Sequence, residues 1–122
     1  MSEPIFEITK AASFDAAHRL AEDGGGRYGR LHGHSFRVEA TLRGPAGARG
    51  WVEDLGALDA LLRQIAGELD HSLLNDHPGL ETPTLEALCL YFAERLKSGA
   101  PKLSRVVVSR PLAGESCALD RG

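Results

Sequence analysis

At 122 residues and 43% hydrophobic content, the chain can bury one core but not two, so a single domain over 1–122 is expected. Its formal net charge of −3 is the wrong sign for a nucleic-acid binder, although scattered arginines leave room for a pocket that takes an anionic small molecule. No run approaches the roughly 20 apolar residues of a membrane helix, and Met1-Ser2-Glu3-Pro4 lacks the basic-then-apolar pattern of a secretion signal.

The even positions Phe6, Ile8, Ala12, Phe14, Ala16 and His18 alternate with Glu7, Thr9, Ser13 and Asp15. That period of two predicts a strand over 5–18, with Lys10 as its one polar interruption. A second strand follows, with His32, His34, Phe36, Val38, Ala40 and Leu42 on one face and Ser35, Arg37, Glu39, Thr41 and Arg43 on the other. The connection from Arg19 to Leu31 carries Gly24-Gly25-Gly26, which suits an antiparallel return through a flexible loop. Asp54 is placed to cap a helix bearing Leu55, Leu58, Leu61, Leu62, Ile65 and Leu69, which should stop near Asp70-His71. After the turn Asn75-Asp76-His77-Pro78-Gly79, a second helix opens at Thr82-Pro83 or Thr84 and buries Leu85, Leu88, Cys89, Phe92 and Leu96. Val106-Val107-Val108 reads as a third strand and Glu115 to Asp120 as a short fourth. The expected class is α+β, in the order β-β-α-α-β-β, with one antiparallel four-stranded sheet backed by two helices. Cys89 and Cys117 form neither a C-x-x-C pair nor a disulfide framework. They read as thiols packed in a helix and a late strand, and a reducing cytoplasm is the simplest compartment.

Residues two apart on a strand share a face, so His32 and His34 project together. Antiparallel pairing then sets the end of the first strand beside the start of the second, bringing His18 to the same end and face, unless a bulge intervenes. Three imidazoles with a fourth position open suit catalytic zinc, whereas structural zinc usually takes four protein ligands. The plainer alternative is three unrelated polar residues at strand ends. Asp70-His71 is a second candidate, because a carboxylate beside an imidazole makes a proton relay near neutral pH. Its alternative is a histidine that merely complements a helix C-terminus. His77, in a Pro-Gly turn, reads as a surface residue.

Phe14-Asp15-Ala16-Ala17-His18-Arg19-Leu20, Leu31-His32-Gly33-His34-Ser35-Phe36 and Leu69-Asp70-His71 resemble motifs of the 6-pyruvoyl-tetrahydropterin synthase family. So do Leu74-Asn75-Asp76 and Pro78-Gly79-Leu80-Glu81-Thr82-Pro83-Thr84, and the likeness spans nearly the whole chain. It leans toward the bacterial branch, the 6-carboxy-tetrahydropterin synthases of the queuosine pathway. The resemblance implies the tunnelling fold, with trimers or stacked hexamers whose sheets join into a barrel and whose active sites lie between subunits. It implies His18, His32 and His34 as Zn²⁺ ligands, Asp70 and His71 as a relay, and Thr84 as a substrate-binding position. It implies 7,8-dihydroneopterin triphosphate as substrate and 6-carboxy-5,6,7,8-tetrahydropterin, or the 6-pyruvoyl compound, as product.

Two positions depart from that pattern. The family places a proton-abstracting cysteine four residues before the first histidine of the pair, where this chain has Tyr28. A phenol, with an ordinary pKa near 10 against about 8.5 for a thiol, is the poorer base at neutral pH. The family also ends its third strand with a glutamate that accepts bonds from the pterin amino group and ring N–H. Alignment through Val106-Val107-Val108-Ser109 puts Arg110 there, which has donors only. Glu115 lies five residues later; a connection longer than usual would bring it to the pocket, and otherwise it is an ordinary strand-edge acid. An Arg110 facing the pocket would favour a ligand carrying an acceptor or an anion. Three functions therefore stand side by side: the zinc-dependent lyase, a diverged paralogue that cleaves or epimerises a pterin side chain or takes another substrate, and a non-catalytic zinc-bound oligomer that binds a pterin-like ligand.

Overall fold

The computed structural model describes residues 3–20 and 29–122. Strands β1 (Ile5–His18) and β2 (His32–Pro45) form a long hairpin, helices α1 (Leu55–Leu69) and α2 (Leu85–Leu96) follow, and β3 (Leu103–Arg110) and β4 (Glu115–Asp120) close the chain. The strands make one antiparallel sheet in the order β1-β2-β3-β4. This is the expected β-β-α-α-β-β arrangement. The register of β1 on β2 runs without a break from Ile5↔Pro45 to His18↔His32. Among the described residues the sheet is irregular between Thr41 and Leu42, on the side facing β3.

The even-numbered face of the hairpin meets the helices. Phe14, Phe36, Val38, Ala40 and Leu42 are buried there, with Val106 and Val108 beside them and Leu58, Leu62, Ile65, Leu88, Phe92 and Leu96 above. Phe14 stacks on Phe36 with ring centroids 5.1 Å apart, and Phe92 of α2 lies 5.9 Å from Phe14. Each valine, leucine, isoleucine or phenylalanine buried this fully contributes roughly 1.5–3 kcal/mol. Lys10, the misfit in the strand pattern, keeps its stem on that face and carries its ammonium to Asp59 of α1 at 3.7 Å. Leu55 stays exposed, since at the open first turn of α1 little packs over it.

Both helix starts are capped. Asp54 accepts from Gly56 N at 2.8 Å, and Thr84, not Thr82, caps α2 by accepting from Ala87 N at 3.1 Å. Beyond α1 the chain turns back along β1. His71 N donates to Asp15 O at 2.7 Å and Ala17 N donates to Ser72 O at 2.9 Å, so the end of β1 is flanked on both sides. His71 makes that turn at φ 56°, left-handed for a non-glycine residue. No helix of the described residues is long and apolar enough to cross a membrane.

The buried Cys89 thiol donates to Cys117 O at 3.3 Å, and burial, with Cys117 adding to it, pushes its pKa up to about 12. Two outcomes are expected. Iodoacetamide in mildly alkaline buffer should leave Cys89 unmodified in the native protein and label it only in denaturant, as read by peptide mass spectrometry. Phe92→Ala should cost about 3–5 kcal/mol in urea unfolding, because the ring is fully buried against Phe14.

Candidate active site

The unbroken register fixes the histidines. His18 and His32 are direct cross-strand partners, and His34 lies two residues on along the same face. Three ring nitrogens, one from each, lie within 4.8 Å of one another. The rings meet edge-on, with centroid separations of 4.6, 5.0 and 4.9 Å. His18 is wholly buried, while His32 and His34 are half-buried and line the open side.

Backbone carbonyls set the orientation of two of these rings. His18 Nδ1 lies 3.2 Å from Pro83 O and His32 Nδ1 lies 2.7 Å from Arg30 O. A carbonyl only accepts, so each Nδ1 carries the proton and each Nε2 presents a lone pair. Those two Nε2 atoms face each other at 3.0 Å. Two lone pairs at that distance repel unless something positive lies between them. Imidazoles bound to one zinc at about 2.0–2.1 Å place their nitrogens on the order of 3.3 Å apart, so the donor set fits a divalent ion. Burial, reinforced by the other two imidazoles and Arg110 and partly opposed by the bond to Pro83, lowers the His18 pKa to about 4. Burial first, then Arg110 and His32, lowers that of His34, with Glu115 opposing. Both rings are thus neutral near pH 7, the form that ligates.

A cleft of ≈ 540 Å³ opens beside His34, lined also by Asp15, Ala16, Ser35, Arg110, Leu112 and Ala113. Arg110, only 14% exposed, lies 2.9 Å from the carboxylate of Glu115 through its Nε. The two are register partners across β3 and β4. Glu115 therefore comes to face Arg110 through a tight turn, the 3₁₀ segment Pro111–Ala113 closed by Gly114 at φ 69°, and not through the longer connection envisaged from the sequence. Thr84 spends its hydroxyl oxygen on the α2 cap; its neighbour Pro83 supplies the carbonyl that orients His18.

Asp70 and His71 lie elsewhere. They gather with Asp15, their ligand atoms all within 4.8 Å of one another. Asp15 leaves β1 on the face opposite the imidazoles. Asp70 Oδ1 accepts from Asp15 N at 2.9 Å and Asp70 Oδ2 lies 3.8 Å from His71 Nε2. The His71 side chain is 80% exposed. Within one chain Asp70 and His71, expected from the sequence as a relay, do not face the histidine triad. Tyr28 falls outside the described residues. His77, read as a surface residue, is half-buried and donates from Nε2 to Ser72 Oγ at 2.9 Å, while that hydroxyl bonds Leu69 O at 2.6 Å.

The family model described as 6-pyruvoyl tetrahydropterin synthase matches residues 7–120. The chain belongs to the 6-pyruvoyl tetrahydropterin synthase family. Among its relatives is the 6-carboxy-5,6,7,8-tetrahydropterin synthase of Synechocystis sp., 41% identical over 108 residues, covering 83% of each chain. Another is the dihydroneopterin monophosphate aldolase of Pyrococcus furiosus, 35% identical over 102 residues, covering 81% of this chain and 84% of the relative. The structure of 6-pyruvoyl tetrahydropterin synthase from Caenorhabditis elegans superposes with a TM-score of 0.85 at 26% identity, covering 98% of both chains.

In this member of the synthase family, one contributor to the site went unread in the sequence. Asn75 accepts from Arg19 N at 2.9 Å and donates to Arg19 O at 2.9 Å and to Glu81 O at 3.3 Å. It clamps the backbone immediately after His18. The Leu74-Asn75-Asp76 motif was its only signal, since a contact of that sequence separation has no local period. Asn75→Ala should lower stability by about 1–3 kcal/mol in urea unfolding. Asn75→Asp, which keeps only the acceptor, should fall between the two.

Proposed function

We propose that the chain is a zinc-dependent lyase of the pterin side chain. Its substrate is 7,8-dihydroneopterin triphosphate and its product 6-carboxy-5,6,7,8-tetrahydropterin, or the 6-pyruvoyl compound. The observation that carries the reading is the pair of facing Nε2 lone pairs, with a third imidazole beside them, at the mouth of a cleft in a chain of this family. His18, His32 and His34 would hold the ion. When bound, zinc supplies a Lewis acid that makes the side-chain hydroxyls and neighbouring C–H groups more acidic.

The protein supplies the rest. Pro83 O and Arg30 O keep two rings in the ligating tautomer. Asp70 orients His71, which takes a proton from the side chain and returns one to the pterin. Because His71 projects away from its own triad, it serves the triad of a neighbouring copy. That reading calls for a homo-oligomer, trimer or hexamer, joined through the two sheet edges, β1 and β4.

A second reading is supported by Tyr28 in the family's cysteine position together with likeness to a dihydroneopterin monophosphate aldolase. In a retro-aldol cleavage the second side-chain hydroxyl loses its proton as the bond between the first two side-chain carbons breaks. The first carbon then gains a proton, leaving a hydroxymethyl pterin and a two-carbon aldehyde. No oxidation level moves into the ring, so one base returning its proton suffices.

Incubating the zinc-loaded protein with 7,8-dihydroneopterin triphosphate and, separately, the monophosphate should distinguish these outcomes by chromatography. A 6-carboxy product with acetaldehyde supports the first, a hydroxymethyl pterin the second, and no turnover of either rejects both. His32→Ala should abolish zinc retention measured by elemental analysis. Asp70→Asn should retain zinc and lower kcat by about a hundredfold, the scale of a lost acid–base group.

A further inference from the structure

Away from the cleft, the two cysteines meet. Cys89 is fully buried on α2, and its sulfur lies over the ladder between the last two strands, 3.3 Å from Cys117 O and 3.8 Å from Val106 O. Cys117 is half-buried on β4 and pairs across that ladder with the buried Val108, so its side chain faces the helices as Val108 does. It also reaches Cys89 directly, through a side-chain hydrogen bond and through its charge. Both thiols are free.

A disulfide needs side chains that approach each other from backbones about 4.4–6.8 Å apart. Here one sulfur already touches the backbone of the other cysteine, so the two side chains approach rather than diverge. The pair also divides into an outer and an inner thiol. Cys117 meets solvent and is open to a small oxidant, whereas Cys89 is sealed between α2 and the sheet.

The position of β4 gives such a bond something to hold. This strand has six residues and β3 as its neighbour in the sheet. The turn Pro111–Ala113, whose Leu112 and Ala113 wall the cleft, runs between those two strands. A bond from β4 to α2 would restrain that turn from its far end.

We propose that Cys117 and Cys89 form a peroxide-sensitive clasp, a modification site that closes an intrachain disulfide between β4 and α2. Peroxide first oxidises Cys117: its sulfur takes one peroxide oxygen to give the sulfenic acid, and the other oxygen leaves as water. The Cys89 sulfur then attacks the Cys117 sulfur. The S–S bond forms as the S–O bond breaks, and the departing hydroxide takes the Cys89 proton as water. Two thiols are oxidised and one peroxide is reduced to two waters. Contact offsets the weak acidity of Cys89, since a partner held in place reacts as if at very high concentration. In a reducing compartment the clasp stays open until an oxidant arrives, and a dithiol reopens it.

The test exposes the full chain, freed of reductant, to a modest excess of hydrogen peroxide. Non-reducing peptide mass spectrometry should find Cys89 joined to Cys117 in a protein that still runs as a monomer on a non-reducing denaturing gel. Dithiothreitol should undo the bond. Amides of β4 should exchange about tenfold more slowly in the closed form, as read by hydrogen-exchange mass spectrometry. Cys89→Ala should halt the reaction at the Cys117 sulfenic acid, trapped with dimedone. Cys117→Ser, a change outside the buried core, should leave Cys89 a free thiol at the same dose. Cys117 carried on to the sulfinic or sulfonic acid beside a free Cys89, or bonds only between chains, overturns the clasp. A closed bond with unchanged exchange in β4 overturns its hold on the turn.

Discussion

Pairing of β1 with β2 is the constraint on which the site depends. Successive residues of a strand point to opposite faces, so a slip of one position would send His18 through the sheet and leave His32 and His34 without a third imidazole. Fourteen consecutive partners, Ile5↔Pro45 through His18↔His32, hold that register, and the stacked rings of Phe14 and Phe36 lock it from the helix side. The same alternation that buries Phe14, Phe36 and Val38 aims the histidines. Core and site are therefore one pattern.

Much of this was readable in the chain. A period of two runs through both long strands with a single exception, and Lys10 fails the pattern without breaking the strand because its stem is long enough to reach Asp59. The helices declared themselves through Asp54, Thr84 and their leucine stripes. Contacts across loops were not readable. Whether Glu115 faces Arg110 depends on the number of residues in the turn and on Gly114 adopting a left-handed conformation, a choice between separate backbone basins that composition does not encode. Asp15 joins Asp70 and His71 because the chain leaving α1 doubles back along β1, and no local period announces a return across more than fifty residues. Thr84 illustrates a different difficulty. Its motif is shared with the family, yet its oxygen is occupied in capping, so the neighbouring Pro83 carbonyl makes the contact with His18.

The two departures from the family pattern have different physical weight. Arg110 does not leave the cleft with a bare positive charge, since the carboxylate missing from its own position stands across the ladder. Charge is conserved at that end of the sheet even though its address has changed. Tyr28 substitutes one weak acid for another of higher ordinary pKa.

The Pro83 carbonyl carries a mechanical implication. It sits one residue before the cap of α2, and it holds the ring of the most deeply buried histidine. Tilting that helix would therefore swivel the imidazole. The hydrophobic stripe from Leu85 to Leu96, which anchors α2 to the sheet, thus also serves as the bearing for the His18 ring, so packing faults far from the cleft would be felt there as a change of aim.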